Sequence, residues 1–172
     1  MSLSLSRLAW GCMGLACVWS SAALAAGSDQ LAGSWSLVRV DNLMPDGTRV
    51  ELYGAHPRGL LMFDGQGRYS LQIVREDRAR FAANDKSKGT PQEYADAVRG
   101  SNAHFGHYTV NAADKTITFH IEHASYPNWE GTEQTRSFVL GKESLVYRVP
   151  TPTSGGNGPA RSNRCTAIAP AR

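Results

Sequence analysis

Residues 59–73 read GLLMFDGQGRYSLQI, and this stretch indicates the fold more directly than any other part of the chain. The run 59–63 is apolar, and the turn DGQG at 64–67 offers the glycines that hairpin turns need for positive φ angles. After the turn, apolar residues alternate with polar ones, which is the period of a strand with one buried face. The apolar positions on that face are Tyr69, Leu71 and Ile73. The stretch therefore predicts an antiparallel hairpin.

Six further segments show the same period of two, and short polar turns separate most of them. They are residues 31–41, 104–110, 117–123, 134–140, 145–149 and 165–168. Together with the hairpin they predict about eight antiparallel strands. An up-and-down β-barrel suits such a chain because closure removes exposed sheet edges, and eight strands leave room for one small ligand.

One short helix is predicted in the middle of the chain. Thr90 can cap its start, Pro91 suits the first turn, and Glu93 completes a capping box. The helix is expected to run to about Arg99, with Gly100 as its stop. The predicted fold class is therefore all-β, with one helix beside a barrel.

The first 26 residues have the composition of a secretory signal peptide. Arg7 is their only charged residue, the run 8–19 is almost wholly apolar or small, and small residues follow. This order, with an apolar core of roughly 7–15 residues, is typical of a cleaved signal. We expect cleavage after Ala25 or Ala26 and export to the periplasm or the extracellular space. A spanning helix needs about 20 apolar residues, so no integral membrane segment is expected after cleavage.

The expected organisation is a signal peptide at 1–26, a barrel domain at 27–149 and a segment rich in proline and glycine at 150–172. That last segment ends in the short predicted strand. Cleavage would leave Cys165 as the only cysteine, which excludes an internal disulfide in the mature chain. The net charge of the whole chain is only +3, so its electrostatics give no indication of nucleic-acid binding.

Five phrases along the chain, taken in order, resemble one known family. They read GSW at 33–35, HPRG at 56–59, TPQEY at 90–94, FGHYTV at 105–110 and PNWEGTEQ at 127–134. In these phrases the chain resembles the bacterial and fungal lipocalin-like domain family, from about Leu31 to Tyr147. The resemblance implies a lipocalin-like barrel. It implies much less about function, because most members lack an assigned activity and fold does not settle function.

The resemblance also implies a structural role for Gly33 and Trp35. In lipocalins the tryptophan of this motif plugs the closed end of the barrel, often beneath an arginine from a late strand. Arg136 or Arg148 is expected to stack on Trp35 here, a cation–π contact worth roughly 0.5–2 kcal/mol.

The ligand-binding candidates surround the predicted strand 117–123. His120 and Glu122 lie on one face of it, and the other face carries Ile117, Phe119 and Ile121. Periodicity favours the apolar face as core, whereas the family resemblance favours the polar face, so either face can point inward. The candidates are Tyr108, His120, Glu122, Asn128, Trp129, Gln134 and Arg136.

A metal site, a cofactor and a covalent mechanism find no support in the sequence. His104 and His107 are three residues apart, as are His120 and His123, and on strands that spacing puts the two rings on opposite faces. There is no nucleophile-elbow motif and no glycine-rich phosphate loop. We therefore expect neither metal nor cofactor.

Three functions remain open from the sequence. The favoured one is an exported protein that binds a small apolar or amphipathic molecule in its barrel. The alternative is a cofactor-independent isomerase, cyclase or hydratase that uses His120, Glu122 and Tyr108 as acid–base groups and Arg136 to orient the substrate. A third is binding of another protein through an exposed apolar patch. The sequence defines neither the ligand nor the oligomeric state.

Overall fold

A computed structural model of the protein describes residues 30–44, 46–150 and 162–168, the last of these as backbone. The predicted signal peptide, with its two cysteines, and residues 151–161 lie outside this range, as does the side chain of Cys165.

The described part of the chain contains nine strands and one α-helix. The strands are β1 (Gly33–Leu43), β2 (Arg49–Glu51), β3 (Arg58–Phe63), β4 (Arg68–Val74), β5 (Ser101–Asn111), β6 (Thr116–Ala124), β7 (Glu133–Leu140), β8 (Ser144–Val149) and β9 (Ser162–Ile168). The helix, α1, spans Pro91–Arg99.

The strands form an antiparallel meander that closes on itself. From β3 to β9 each strand pairs with the next along the chain, and β1 pairs with both β3 and β9. Eight strands thus form a ring, and the predicted up-and-down barrel with one helix is confirmed. The sequence analysis missed β2, a three-residue strand that pairs with the end of β1.

The hairpin of residues 59–73 forms as predicted. Phe63 pairs with Tyr69 beside the turn. The Asp64 carboxylate closes that turn by accepting from the backbone N–H of Gln66 at 2.9 Å and of Arg68 at 2.7 Å. Gly67 has φ of 84°, which explains why glycine is needed there.

The helix begins with the predicted capping box. The Thr90 hydroxyl accepts from the Glu93 N–H at 3.2 Å, and the Glu93 carboxylate accepts from the Thr90 N–H at 2.6 Å. Glu93 also accepts from the N–H of Ala82 at 2.7 Å, which ties the preceding loop to the helix. No helix in the described part of the chain is long and apolar enough to cross a membrane.

Side chains from one face of every long strand fill the barrel and form its core. On β6, Ile117, Phe119 and Ile121 are buried, so the apolar face points inward and His120 and Glu122 lie outside. The other buried apolar side chains of the ring strands include Trp35, Val40, Leu61, Phe63, Tyr69, Leu71, Ile73, Tyr108, Phe138, Leu145 and Tyr147.

Trp35 is buried as expected, but its predicted arginine stack is wrong. Its indole N–H donates to the Leu31 carbonyl at 2.9 Å. The Arg136 guanidinium instead lies over the rings of Phe119, at 4.5 Å, and Tyr147, at 5.2 Å. Arg148 is exposed on the outer face of β8. The Arg136 guanidinium also donates to the Gln134 side-chain oxygen on the same face of β7, at 2.7 Å, and these contacts hold it against Phe119 and Tyr147.

Candidate functional site

A cavity of about 670 Å³ lies at one end of the barrel. The start of β5, the residue that follows β4, the start of the connection after β6, the loop before β3 and the last turn of α1 form its walls. Its lining residues are Leu52, Tyr53, Arg75, Ala97, Val98, Arg99, Ser101, Asn102, Ser125, Tyr126 and Trp129. We call it the mouth cavity. Aromatic and aliphatic side chains with few polar groups are typical of small-molecule sites.

Trp129 forms the inner wall of the mouth cavity. It ends a single 3₁₀ turn, Pro127–Trp129, and the Thr132 hydroxyl donates to its carbonyl at 2.7 Å. Its ring packs edge-to-face on Tyr126, at 5.4 Å between centroids, and on His104, at 5.8 Å. The indole thus lies between the cavity and the buried histidine of the barrel.

His104 and Tyr69 form a buried polar pair behind Trp129. His104 is 2% exposed, and its Nδ1 lies 2.8 Å from the Tyr69 hydroxyl oxygen. Burial, followed by repulsion from Arg136, lowers the pKa of His104 to about 3, so its ring is neutral near pH 7. Burial also raises the pKa of Tyr69, which keeps its phenol protonated.

Arg136 brings a fixed positive charge into the same interior. It is 4% exposed, and its Nη2 donates to the Gln134 side-chain oxygen at 2.7 Å. The Phe119 ring lies between the two buried basic side chains, with the Arg136 guanidinium 4.5 Å away and the His104 ring 6.0 Å away. The two groups therefore face the same part of the barrel.

Four buried polar atoms in the wall of the mouth cavity and in the interior behind it have no hydrogen-bond partner among the described residues. They are Asn102 Oδ1, Trp129 Nε1, His104 Nε2 and Arg136 Nε. Asn102 and His104 alternate on β5, so both point inward, with Asn102 nearer the mouth. Buried polar groups are nearly always hydrogen-bonded in proteins, either to other protein groups or to ordered water, so these atoms are positions where a water molecule or a polar group of a ligand would bind.

The structure brings three of the predicted ligand candidates into this interior or its wall: Trp129, Gln134 and Arg136. Tyr108 also points inward, but its hydroxyl donates to the Asp64 carbonyl at 2.9 Å in the turn at the other end of the barrel. Asn128 is exposed in the 3₁₀ turn.

His120 and Glu122 lie on the outer face of β6, within a network of surface ion pairs. His120 Nδ1 is 3.0 Å from Glu133, and Glu122 pairs with Arg68 at 2.9 Å and with His107 at 2.7 Å. The hydrogen bond from Arg68 lowers the pKa of Glu122. Of the two faces that the sequence left open, the apolar face of β6 fills the interior, so His120 and Glu122 do not meet Arg136 inside the barrel.

His104, Tyr69 and Asn102 are members of the site that were not predicted from the sequence. His104 entered the sequence-based predictions only as half of a metal-binding pair. The signal was present in the period of two, since counting back from Tyr108 places Gly106, His104 and Asn102 on its inward face. Among the described residues, no three His, Cys, Asp or Glu side chains are placed to hold a metal ion.

A closed antiparallel barrel with an aromatic-walled mouth and a few inward polar groups has the form of a small-molecule-binding barrel. Comparison with known families agrees with this fold. The family model for the lipocalin-like domain matches residues 32–169, and the chain belongs to that family.

One curated relative adds a functional comparison. The chain is similar to the 4'-hydroxy-3'-methoxypropiophenone carrier protein of Aspergillus oryzae, with 32% identity over 73 residues. The match covers 39% of this chain and 66% of the relative, so part of the relative's length has no counterpart in the match.

Proposed function

We propose that this protein binds one small amphipathic molecule at the mouth of its barrel, as a carrier or binding protein. The observation that carries the proposal is the line of unpartnered polar atoms, from Asn102 past Trp129 to His104, beside an apolar-walled cavity. The cavity volume of about 670 Å³ falls within the range of roughly 300–1,000 Å³ typical of ligand pockets.

The titration of His104 favours binding over acid–base catalysis. A general base works best when its pKa lies near the operating pH. The pKa of about 3 makes His104 a weak base, suited to a neutral hydrogen bond rather than to proton transfer. The alternative of an isomerase, cyclase or hydratase also loses His120 and Glu122 as interior acid–base groups, since both lie on the outer face.

The curated relative supports the same class of ligand. Its name describes a carrier of an aromatic ketone with hydroxyl and methoxy substituents, which is a compact amphipathic molecule. The identity of 32% over part of each chain supports a shared mode of binding.

We propose further that the protein acts outside the cytoplasm. The order of charge, apolar run and small residues in segment 1–26 supports export. Fractionation of the native host followed by N-terminal sequencing tests this. A mature chain that starts at Ala26 or Gly27 outside the cytoplasm is expected, and an intact N-terminus in the cytoplasmic fraction would contradict it.

A fluorescence titration tests the proposed binding site directly. N-phenyl-1-naphthylamine is a neutral apolar dye whose emission rises when it leaves water. We expect saturable binding with one site per chain, and a rise in Kd of about ten-fold or more when Val98→Asp puts a charge into the mouth cavity.

Val139→Asp is the matched control for this titration. Val98 is 67% exposed and Val139 is 68% exposed, but only Val98 lines the mouth cavity. The control is expected to bind the dye as the parent protein does. Absence of saturable binding, or an equal loss in both variants, would contradict the proposed site.

A further inference from the structure

Arg136 is a buried cation without a carboxylate partner among the described residues. The ion pairs of the described chain all involve other basic side chains. Its neighbours are the Gln134 amide oxygen and the π-faces of Phe119 and Tyr147, and its Nε has no described hydrogen-bond acceptor. These contacts are neutral, so the positive charge is solvated but not neutralised.

Burial of the unneutralised charge of Arg136 costs a substantial amount of folding free energy. Burying a charge is expensive unless it is paired and hydrogen-bonded, and a neutral amide with two aromatic faces offsets that cost only in part. The field of Arg136 reaches the neighbouring groups, since it contributes to the lowered pKa of His104. The interior therefore has a positive potential that favours a negative charge.

The mouth cavity carries the same sign of charge. Among the described residues that line it, the ionised side chains are Arg75 and Arg99 and none is an aspartate or glutamate. Arg75 Nε lies 3.6 Å from the exposed carboxylate of Asp77, which is not a lining residue. A cleft lined by one sign of charge attracts ligands of the opposite sign. The described lining of the mouth cavity and the interior around Arg136 thus both carry positive side chains.

We propose that the bound molecule is an organic anion, whose acidic group pairs with Arg136 while its apolar body lies against Trp129 and the mouth cavity. This deepens the proposed function and rests on it. The carboxylate, sulfonate or phenolate of such a ligand would supply the acceptor that the Arg136 guanidinium lacks among the described residues. Charge-assisted hydrogen bonds of this kind are about twice as strong as neutral ones.

His104 supplies a second donor in this arrangement. When the Tyr69 hydroxyl donates to Nδ1, at 2.8 Å, the neutral ring carries its proton on Nε2, the nitrogen without a described partner. Nε2–H and the guanidinium then lie beside the same Phe119 ring, so His104 can donate to a polar group on the body of the ligand while Arg136 pairs with its acidic group.

Two matched dyes test the charge preference on the full-length chain. N-phenyl-1-naphthylamine is neutral, and 8-anilino-1-naphthalenesulfonate is the same skeleton with a sulfonate. We expect the sulfonate to bind about ten-fold more tightly or better. Arg136→Met should abolish that preference while it retains binding of the neutral dye, which also shows that the variant folds. Arg136→Lys should keep part of the preference, because the charge remains.

Arg148→Met is the matched control, since Arg148 is exposed on the outer face of β8. It should leave both affinities unchanged. Equal affinity of the parent protein for the two dyes, or a preference that survives in Arg136→Met or disappears in Arg148→Met, would overturn the anion proposal alone. If neither dye binds the parent protein, the proposed function falls as well.

Discussion

The Tyr69 hydroxyl oxygen lies 2.8 Å from His104 Nδ1 inside the barrel. The pair joins neighbouring strands, because Leu71 of β4 stands opposite His104 of β5. It fixes the orientation of a neutral imidazole whose other nitrogen points away from Tyr69. The stability of the fold and the hydrogen-bonding groups behind the mouth cavity both depend on this pair. Substitution of Tyr69 or His104 therefore tests both.

The stability of the protein should fall as the pH drops below about 6.5. The unfolded chain binds a proton at His104 near its ordinary pKa of 6.5, whereas the folded protein does so only near 3. The contribution of neutral His104 is therefore fully present above pH 6.5 and is lost as the pH falls to 3, on the order of a few kcal/mol in all. Urea unfolding between pH 7.5 and pH 4 measures it.

His104→Gln should flatten this pH dependence, because the substituted side chain does not titrate. The control is His123→Gln, since His123 is exposed on the outer face and its loss should leave the slope nearly unchanged. An unaltered slope in His104→Gln would show that other groups cause the acid sensitivity.

Tyr69→Phe should destabilise the protein by about 1–3 kcal/mol, since it leaves His104 Nδ1 buried without its partner. Chemical unfolding at pH 7.5 measures the change. Tyr126→Phe serves as the control because Tyr126 is exposed at the mouth, and it should change stability by less than about 0.5 kcal/mol. Equal effects of the two substitutions would contradict the assigned role of the Tyr69–His104 bond.

Arg136 and Gln134 should respond to substitution in opposite ways. Arg136→Met replaces a buried charge with an apolar side chain of similar length, so stability should stay within about 1 kcal/mol of the parent or increase. Gln134→Leu removes the acceptor at 2.7 Å and should cost about 1–3 kcal/mol. Thermal and urea unfolding compare them. Strong destabilisation by Arg136→Met would mean that the arginine is held for folding rather than for binding.

Gly106→Ala should destabilise the barrel by roughly 1–3 kcal/mol through overpacking. Gly106 lies where the β5–β6 register shifts, and a Cβ there would collide with the His120 carbonyl and lie 2.9 Å from the Glu122 amide nitrogen. Thr109→Ala, an exposed change on the same strand, is the control. A neutral effect of Gly106→Ala in urea unfolding would show that the two strands can separate at this point without cost.

Local signals explain which parts of the fold were predictable. The hairpin of residues 59–73 and the helix start at Thr90 each contain their own turn or capping residues, so a few neighbours in sequence decide them. β2 has only three residues, all exposed, and pairs with the end of β1 just before it in the chain, where Arg49 lies 3.2 Å from the buried Asp41. Three exposed residues are too few to show the period of two that indicates a strand.

The site was less predictable because it depends on which face of each strand turns inward. The sequence distinguishes a polar and an apolar face of β6. It does not decide which face points inward, because periodicity favours the apolar face and the family resemblance favours the polar one. His104 was visible only as one histidine among five. Its burial follows from the alternation on β5, and its pairing with Tyr69 requires the β4–β5 register. The direction of Arg136 depends on Gln134 and on the ring of Phe119, which only the packed barrel defines.

Native mass spectrometry of the protein purified from its own host, followed by mass spectrometry of a solvent extract, tests the central claim most directly. We expect one small organic molecule per chain, lost on denaturation, with an apolar body and an acidic group. A protein that carries no small molecule, and that takes up none from a solvent extract of its host, would contradict it.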